Sequence, residues 1–162
     1  MPFKYSAINS NFEDIASFQF DEIKLFEKGV ANVRIGDKWG ALNSLGKIIV
    51  PVEYTYIGYC KDGIITVGLG DYESNWFVGH YGLFDKSGKK ITKIIYEYLG
   101  SFKNGYVIFK KNSNYGLINR SGTEIINNIY DDLQEVANNI YLAEKEGLKY
   151  YIHSSGREFR QR

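Results

Sequence analysis

The sequence predicts an all-β chain, built from tandem β-hairpin repeats of about 34 residues stacked as an open twisted array. Three observations carry this expectation. The phrase Trp39-Gly40-Ala41-Leu42-Asn43-Ser44-Leu45-Gly46-Lys47 returns as Tyr81-Gly82-Leu83-Phe84-Asp85-Lys86-Ser87-Gly88-Lys89 and as Tyr115-Gly116-Leu117-Ile118-Asn119-Arg120-Ser121-Gly122-Thr123. A degraded copy, Lys149 to Arg157, keeps the second glycine as Gly156 and has Tyr150 in place of the first. A second phrase, an aromatic with glycine or asparagine nine residues on, occurs as Phe20 with Gly29, Tyr54 with Gly63, Tyr96 with Gly105 and Tyr130 with Asn139. Finally, apolar and polar residues alternate between the phrases, as strands require.

The first phrase reads as a tight chain reversal. Asn or Asp at the first position of a type I turn bonds the turn backbone, and a glycine three residues later takes the left-handed conformation of a G1 bulge. Each copy should therefore join two antiparallel strands. In the second phrase, Gly in three copies and Asn in the fourth mark another left-handed position, since Asn replaces Gly there most readily.

The alternation assigns faces. Ala31 and Val33, Ile65 and Val67, Val107 and Phe109, and Tyr141 and Ala143 fall two and four residues past the second marker and should point inward, with Arg34, Lys110 and Glu144 opposite. After the reversal, Ile49, Ile91, Ile125 and Phe159 should resume the apolar row, with Lys90, Glu124 and Glu158 turned to water. Each unit thus reads as two or three short strands whose apolar row is completed by neighbouring units.

The spacing organises the chain. The first glycines of successive phrases are 42 and then 34 residues apart, and Gly116 to Tyr150 is again 34, so the first interval carries eight extra residues. Residues 1–17 lack the hairpin glycines and read as an N-terminal cap, within which Phe12 to Phe18 suits a helical turn or a divergent strand. Residues 18–162 form four repeats in one domain, ending in Arg157 to Arg162 as the opposite cap. A small closed β-propeller is the alternative architecture, but units of 34 residues are short for blades of ~40 to 45.

Composition bounds function. Twenty Lys and Arg against 19 Asp and Glu give no basic field to collect nucleic acid or anionic lipid. The 14 Tyr, 10 Phe and 17 Gly against 2 Pro suit short strands and tight turns. A lone Cys60 leaves no intrachain disulfide framework and reads as a small, partly buried hydrophobe. The amino terminus shows no signal-peptide pattern, and no apolar run approaches the ~20 residues needed to span a bilayer, so the cytoplasm is the expected location.

These motifs resemble the WG-repeat (KWG-repeat) family of bacterial proteins. Lys38-Trp39-Gly40, with Gly46-Lys47, Ile48 to Pro51 and Tyr54, is similar to that family's unit, and the likeness runs from about residue 18 to 160. The resemblance implies an all-β repeat architecture used as an interaction module, with no shared catalytic residue to carry over.

The residues themselves point away from chemistry. One cysteine with His80 and His153 cannot supply a zinc site, no phosphate-binding loop is present, and nothing in the spacing joins Cys60 to His80 as nucleophile and base. Asp21-Glu22 and Asp131-Asp132 occupy one repeat position and read as strand-end structure rather than as a catalytic pair. No cofactor, metal or catalytic residue is therefore expected.

The irregular stretch Gly68 to His80 holds the extra residues. Insertions in repeat arrays fall in loops, often on the binding face. Asp71, Tyr72, Glu73, Trp76, Phe77 and His80 make an aromatic and acidic set of the kind that anchors protein interfaces. The structural alternative is a longer hairpin whose Trp76 covers an apolar edge. The expected function is a non-enzymatic protein-binding scaffold, in one concrete form an immunity or antitoxin-like protein that caps a toxin or effector, with self-association open to an array with free edges. A carbohydrate-binding module is the alternative; nucleic acid and membrane are not expected partners.

Overall fold

The computed structural model describes residues 3–8 and 13–160, apart from the side chains of residues 17, 18 and 160. Phe12, the side chain of Phe18 and the last residues of the expected C-terminal cap lie outside this description. The described residues form strands and turns only, and no sheet closes on itself. The chain divides into two compact units, residues 1–94 and 95–162.

Unit 1 opens with a two-stranded sheet of β1 (Tyr5–Ile8) and β2 (Asp14–Phe20), so the segment read as helix or strand is strand from Asp14 onward. A four-stranded antiparallel sheet follows in chain order: β3 (Glu22–Ile23), β4 (Val30–Ile35), β5 (Lys38–Asn43) and β6 (Ile48–Tyr54). Next come β7 (Tyr56–Ile57), β8 (Ile64–Glu73) and β9 (Trp76–Asp85). Unit 2 holds two more four-stranded sheets, β10 (Tyr98–Leu99) to β13 (Glu124–Tyr130) through β11 (Tyr106–Lys111) and β12 (Asn114–Asn119), and β14 (Asp132–Ala137) to β17 (Glu158–Arg160) through β15 (Ile140–Lys145) and β16 (Leu148–His153). The chain is therefore an all-β series of tandem hairpins. Three of the sheets have four strands where the sequence suggested two or three; in two of them the additional strand, β3 or β10, is only two residues long and too short to alternate.

Three turns define each unit. The second-phrase marker is left-handed in all four copies, at φ +83° for Gly29, +80° for Gly63, +87° for Gly105 and +61° for Asn139. Lys28, Asp62 and Asn104 just before it are left-handed too, which makes two-residue type I′ turns. The next turn is again of two residues, Ser74-Asn75, Asn112-Ser113 and Glu146-Gly147, all with positive φ. The third is the predicted reversal. Asn43 Oδ1 accepts the N–H groups of Leu45 and Lys47, Asp85 Oδ1 those of Ser87 and Lys89, and Asn119 Oδ1 those of Ser121 and Thr123. His153 fills the place in the last unit with one such bond, from Ser155 N–H to Nδ1 at 3.1 Å.

The core follows the alternation. All eight residues assigned inward, from Ala31 to Ala143, are buried, as are the four marker aromatics Phe20, Tyr54, Tyr96 and Tyr130. In unit 1 the core joins Val30, Ala41 and Val50 to Ile65, Val67 and Phe84; in unit 2 it joins Leu117 and Ile126 to Tyr141 and Ile152. One row departs from expectation. Ile125 is half-buried and Phe159 exposed, while Val50 and Ile126, one residue further along than Ile49 and Ile125, are buried. For Ile125 a register shift causes this: Ile118 pairs Glu124 but Leu117 pairs Ile126, so Ile125 is bulged out of the two-residue alternation. Phe159 lies in a ladder without a shift, opposite the exposed Tyr151, and Ile49 is buried as expected.

A second bulge explains the first glycine of the phrase. Between the pairs Trp39–Tyr54 and Ala41–Val50, the single residue Gly40 faces three, and a β-carbon on Gly40 would crowd the main chain of Val50 and Pro51. Gly116 repeats this against Ile126. In the last unit Tyr150, Tyr151 and Ile152 pair Arg160, Phe159 and Glu158 without a shift. Where the bulge is absent, a tyrosine fits.

Candidate functional site

The acidic residues of the second phrase have a structural task. Asp21 Oδ2 accepts Gly36 N–H at 2.7 Å, Glu97 accepts Ser113 N–H at 3.2 Å and Asp131 Oδ2 accepts Glu146 N–H at 2.8 Å, each tying a strand end to a hairpin turn. The Lys4 ammonium, through its hydrogen bond, and then the Gly36 amide hold the Asp21 carboxyl below its ordinary pKa. In the second repeat, within unit 1, Thr55 Oγ1 takes this role, accepting Gly70 N–H at 2.9 Å. The β8–β9 hairpin continues past that anchor to the turn at Ser74-Asn75.

This hairpin carries all six predicted site residues, and its register sorts them onto two faces. Leu69, Asp71 and Glu73 pair His80, Val78 and Trp76, so Asp71, Glu73, Trp76 and His80 share the face that continues the row of Val67 and Ile65. Tyr72 pairs Phe77 on the opposite face. The first face is open: Trp76 is 79% exposed, and Leu69 and Val78 are exposed beside it.

The second face is packed. The Phe77 ring lies 5.2 Å from that of Tyr56, 5.5 Å from Tyr72 and 5.1 Å from Tyr81, centroid to centroid. Beneath it are Gly68 and Gly79, where β-carbons would stand 2.8 and 2.9 Å from the Phe77 Cζ. An aromatic ring laid across strand glycines restores the packing those positions lack. Burial pushes the phenols of Tyr56 and Tyr81 above their ordinary pKa, so both remain neutral donors.

Beside this cluster is a groove of about 180 Å³, walled by Trp39, Tyr56, Tyr59 and Tyr72 with Asn32 and Lys24. Asn32 is only 6% exposed and donates from Nδ2 to the Gly58 carbonyl at 3.3 Å. Lys24 is ion-paired with Glu22, and Lys24 and Arg34 lie 5.7 and 5.6 Å from the Trp39 ring centre. Of these residues the sequence reading singled out only Tyr72 as a contact. Tyr56 was visible in the second phrase, but nothing in the spacing showed that it meets Tyr72 across a groove.

Unit 2 has a smaller hollow of about 150 Å³ lined by Tyr98, Ser101, Lys103, Tyr106, Glu135 and Tyr141. Lys103 Nζ pairs Glu135 Oε2 at 2.8 Å, and Glu135 Oε1 is buried without a partner among the described residues. Burial, then the Glu135 charge, pushes the Tyr141 phenol up to about 12. Cys60 is buried in the unit 1 core and burial raises its thiol pKa, whereas His80 stands exposed on the hairpin. Among the described residues no group of three or more His, Cys, Asp and Glu is placed to hold a metal, and no helix is long and apolar enough to cross a membrane.

The WG containing repeat family matches four consecutive segments, residues 5–39, 39–72, 81–115 and 115–148. This chain belongs to the WG-repeat family. The break between the second and third WG repeats is residues 73–80, the tip of the β8–β9 hairpin. The first WG repeat begins at Tyr5 and so includes β1 and β2. No curated protein matches the chain. A solved structure titled Kluyveromyces lactis Hsv2 complete loop 6CD is similar at 13% identity and a TM-score of 0.43, over 98% of this chain and 57% of that one, a likeness too loose to argue from.

Proposed function

We propose that this WG-repeat chain is a protein-binding scaffold whose contact surface is the open face of the β8–β9 hairpin. The observation that carries the reading is Trp76, 79% exposed on a ribbon that Phe77 stiffens from behind. A large ring on a pre-ordered support loses little conformational freedom on binding and makes an efficient anchor. Leu69 and Val78 widen the apolar patch, and Asp71 and Glu73 edge it with negative charge. The matching partner is a protein with an apolar pocket beside basic residues, which also disfavours a second copy of this acidic face. An immunity-type protein masking a basic toxin or effector surface is the concrete form of this reading.

The test is affinity capture from the native cell with mass spectrometry, run in parallel with the wild type and Trp76→Ala. One stoichiometric basic partner, lost with Trp76→Ala, supports the scaffold. Equal recovery of that partner with both proteins sinks the assignment of this face.

A further inference from the structure

The groove beside the hairpin has a chemistry of its own. Four aromatic side chains wall it, and two of them, Tyr59 and Tyr72, are 61% and 57% exposed and therefore free to receive a ligand face. Its lining includes Asn32, more than nine-tenths buried, whose carboxamide has one N–H already committed to the Gly58 carbonyl. Concave sites of this composition, mostly aromatic with a few fixed polar groups, are characteristic ligand sites.

The groups present decide the ligand class. A purely apolar occupant would cover the Asn32 amide without offering it a hydrogen bond, which is costly. An anion finds no available charge, because the Lys24 ammonium is paired with Glu22. A cation meets Lys24 itself. What remains is a neutral molecule with an apolar face to stack on tyrosine and hydroxyl or amide groups for Asn32. A nucleic-acid base satisfies the ring contacts, but its phosphates would find no run of cations along the groove.

We propose that this groove between the β3–β6 and β7–β9 sheets of unit 1 binds a neutral sugar ring, stacked on Tyr59 and Tyr72 and hydrogen-bonded to Asn32. The site is separate from the open face of the hairpin, since Tyr72 and Trp76 lie on opposite faces.

Trp39 lines the groove, so its indole N–H signal in a nitrogen-edited NMR spectrum reports occupancy, with Trp76 as the internal reference. Methyl glucoside, methyl galactoside, N-acetylglucosamine and their short oligomers are titrated into the full chain to millimolar concentration. The expected result is a saturable shift of the Trp39 signal with at least one sugar. Tyr59→Ala should weaken that binding tenfold or more while Tyr59→Phe retains it, and Trp76→Ala should bind as the wild type does. Tyr59 is exposed, so its substitution leaves the fold in place. No saturable shift with any of the sugars overturns the proposal, as does saturation by adenosine or uridine in their stead. Equal sugar affinity of Tyr59→Ala and wild type also overturns it. Loss of the protein partner in the capture experiment leaves this result untouched, so the two readings fail independently.

Discussion

The carbonyl oxygen of Val50 lies so close to Gly40 that a β-carbon on residue 40 would stand 2.6 Å from it. The obstruction is main chain held by a bulge, and it cannot swing aside as a side chain would. Gly40→Ala should therefore destabilise unit 1 by about 3 kcal/mol, the upper end of the usual range for overpacking. Gly105→Ala meets no atom within 4 Å and should cost only the left-handed backbone strain, about 1–2 kcal/mol. Urea denaturation of the two variants compares the effects, and a Gly40 cost no larger than that of Gly105 contradicts the bulge argument.

The carboxylate ties predict acid sensitivity. The Asp21 pKa is lowered in the folded chain from 3.8, first by Lys4 and then by the Gly36 amide, so its contribution is complete above that value and fades as pH falls through the folded pKa. Thermal melts of Asp21→Asn should show a shallower loss of stability below about pH 4 than the wild type. In unit 2, Asp131→Ala should cost about 1 kcal/mol by releasing the Glu146 amide.

His153 is the weak member of its series. Asn43, Asp85 and Asn119 each accept two main-chain N–H groups, whereas Nδ1 of His153 accepts one. His153→Asn should add the bond to the Arg157 amide and stabilise unit 2 by about 0.5–1 kcal/mol. Chemical denaturation monitored by circular dichroism measures the gain.

Tyrosines 54, 56, 81, 96, 130 and 141 all have raised pKa values, with burial as the leading cause. The Tyr130 phenol also donates to Glu158 Oε1 at 2.7 Å. An unfolded tyrosine ionises near 10 and these ionise higher, so stability is unaffected below pH 10 and falls above it. Tyrosinate absorbance should consequently rise in a steep step that coincides with loss of β-sheet signal. Gradual ionisation of these rings in an intact sheet would contradict their placement.

The two faces of the hairpin should separate binding from stability. Trp76→Ala should leave the urea midpoint unchanged within error, because the ring is exposed. Phe77→Ala removes three ring contacts and the cover over Gly68 and Gly79, and should cost about 1–2 kcal/mol. Amide hydrogen exchange should show that loss concentrated in residues 68–81.

The turns were legible in the sequence because they depend on local chemistry. Asn43 and Gly46 need only each other to close a reversal, and Gly29 announces its backbone conformation by lacking a side chain. The inward row was legible for the same reason, since β4 and its counterparts are long enough to alternate. What the sequence does not show depends on strand pairing. Tyr72 and Phe77 were grouped with Trp76 because they are adjacent in the chain, but the cross-strand register turns them to the other face. Gly40 had no assigned role ahead of the reversal and is a point of close strand approach. The groove requires Asn32 of one sheet to meet Tyr56 of the next and Tyr59 just beyond it, which no spacing encodes.

Every hydrogen-bonded ladder among the described residues joins strands that are consecutive in sequence, and the most distant partners, Ile64 and Asp85, are 21 residues apart. Little loop entropy must be overcome before such contacts form, which places the topology among those that fold quickly. During synthesis each sheet can assemble as soon as its own strands leave the ribosome, without waiting for the sheets that follow it. Sticky single ribbons are thus exposed only briefly in the nascent chain, a kinetic safeguard for a polypeptide with so much tyrosine and so little proline.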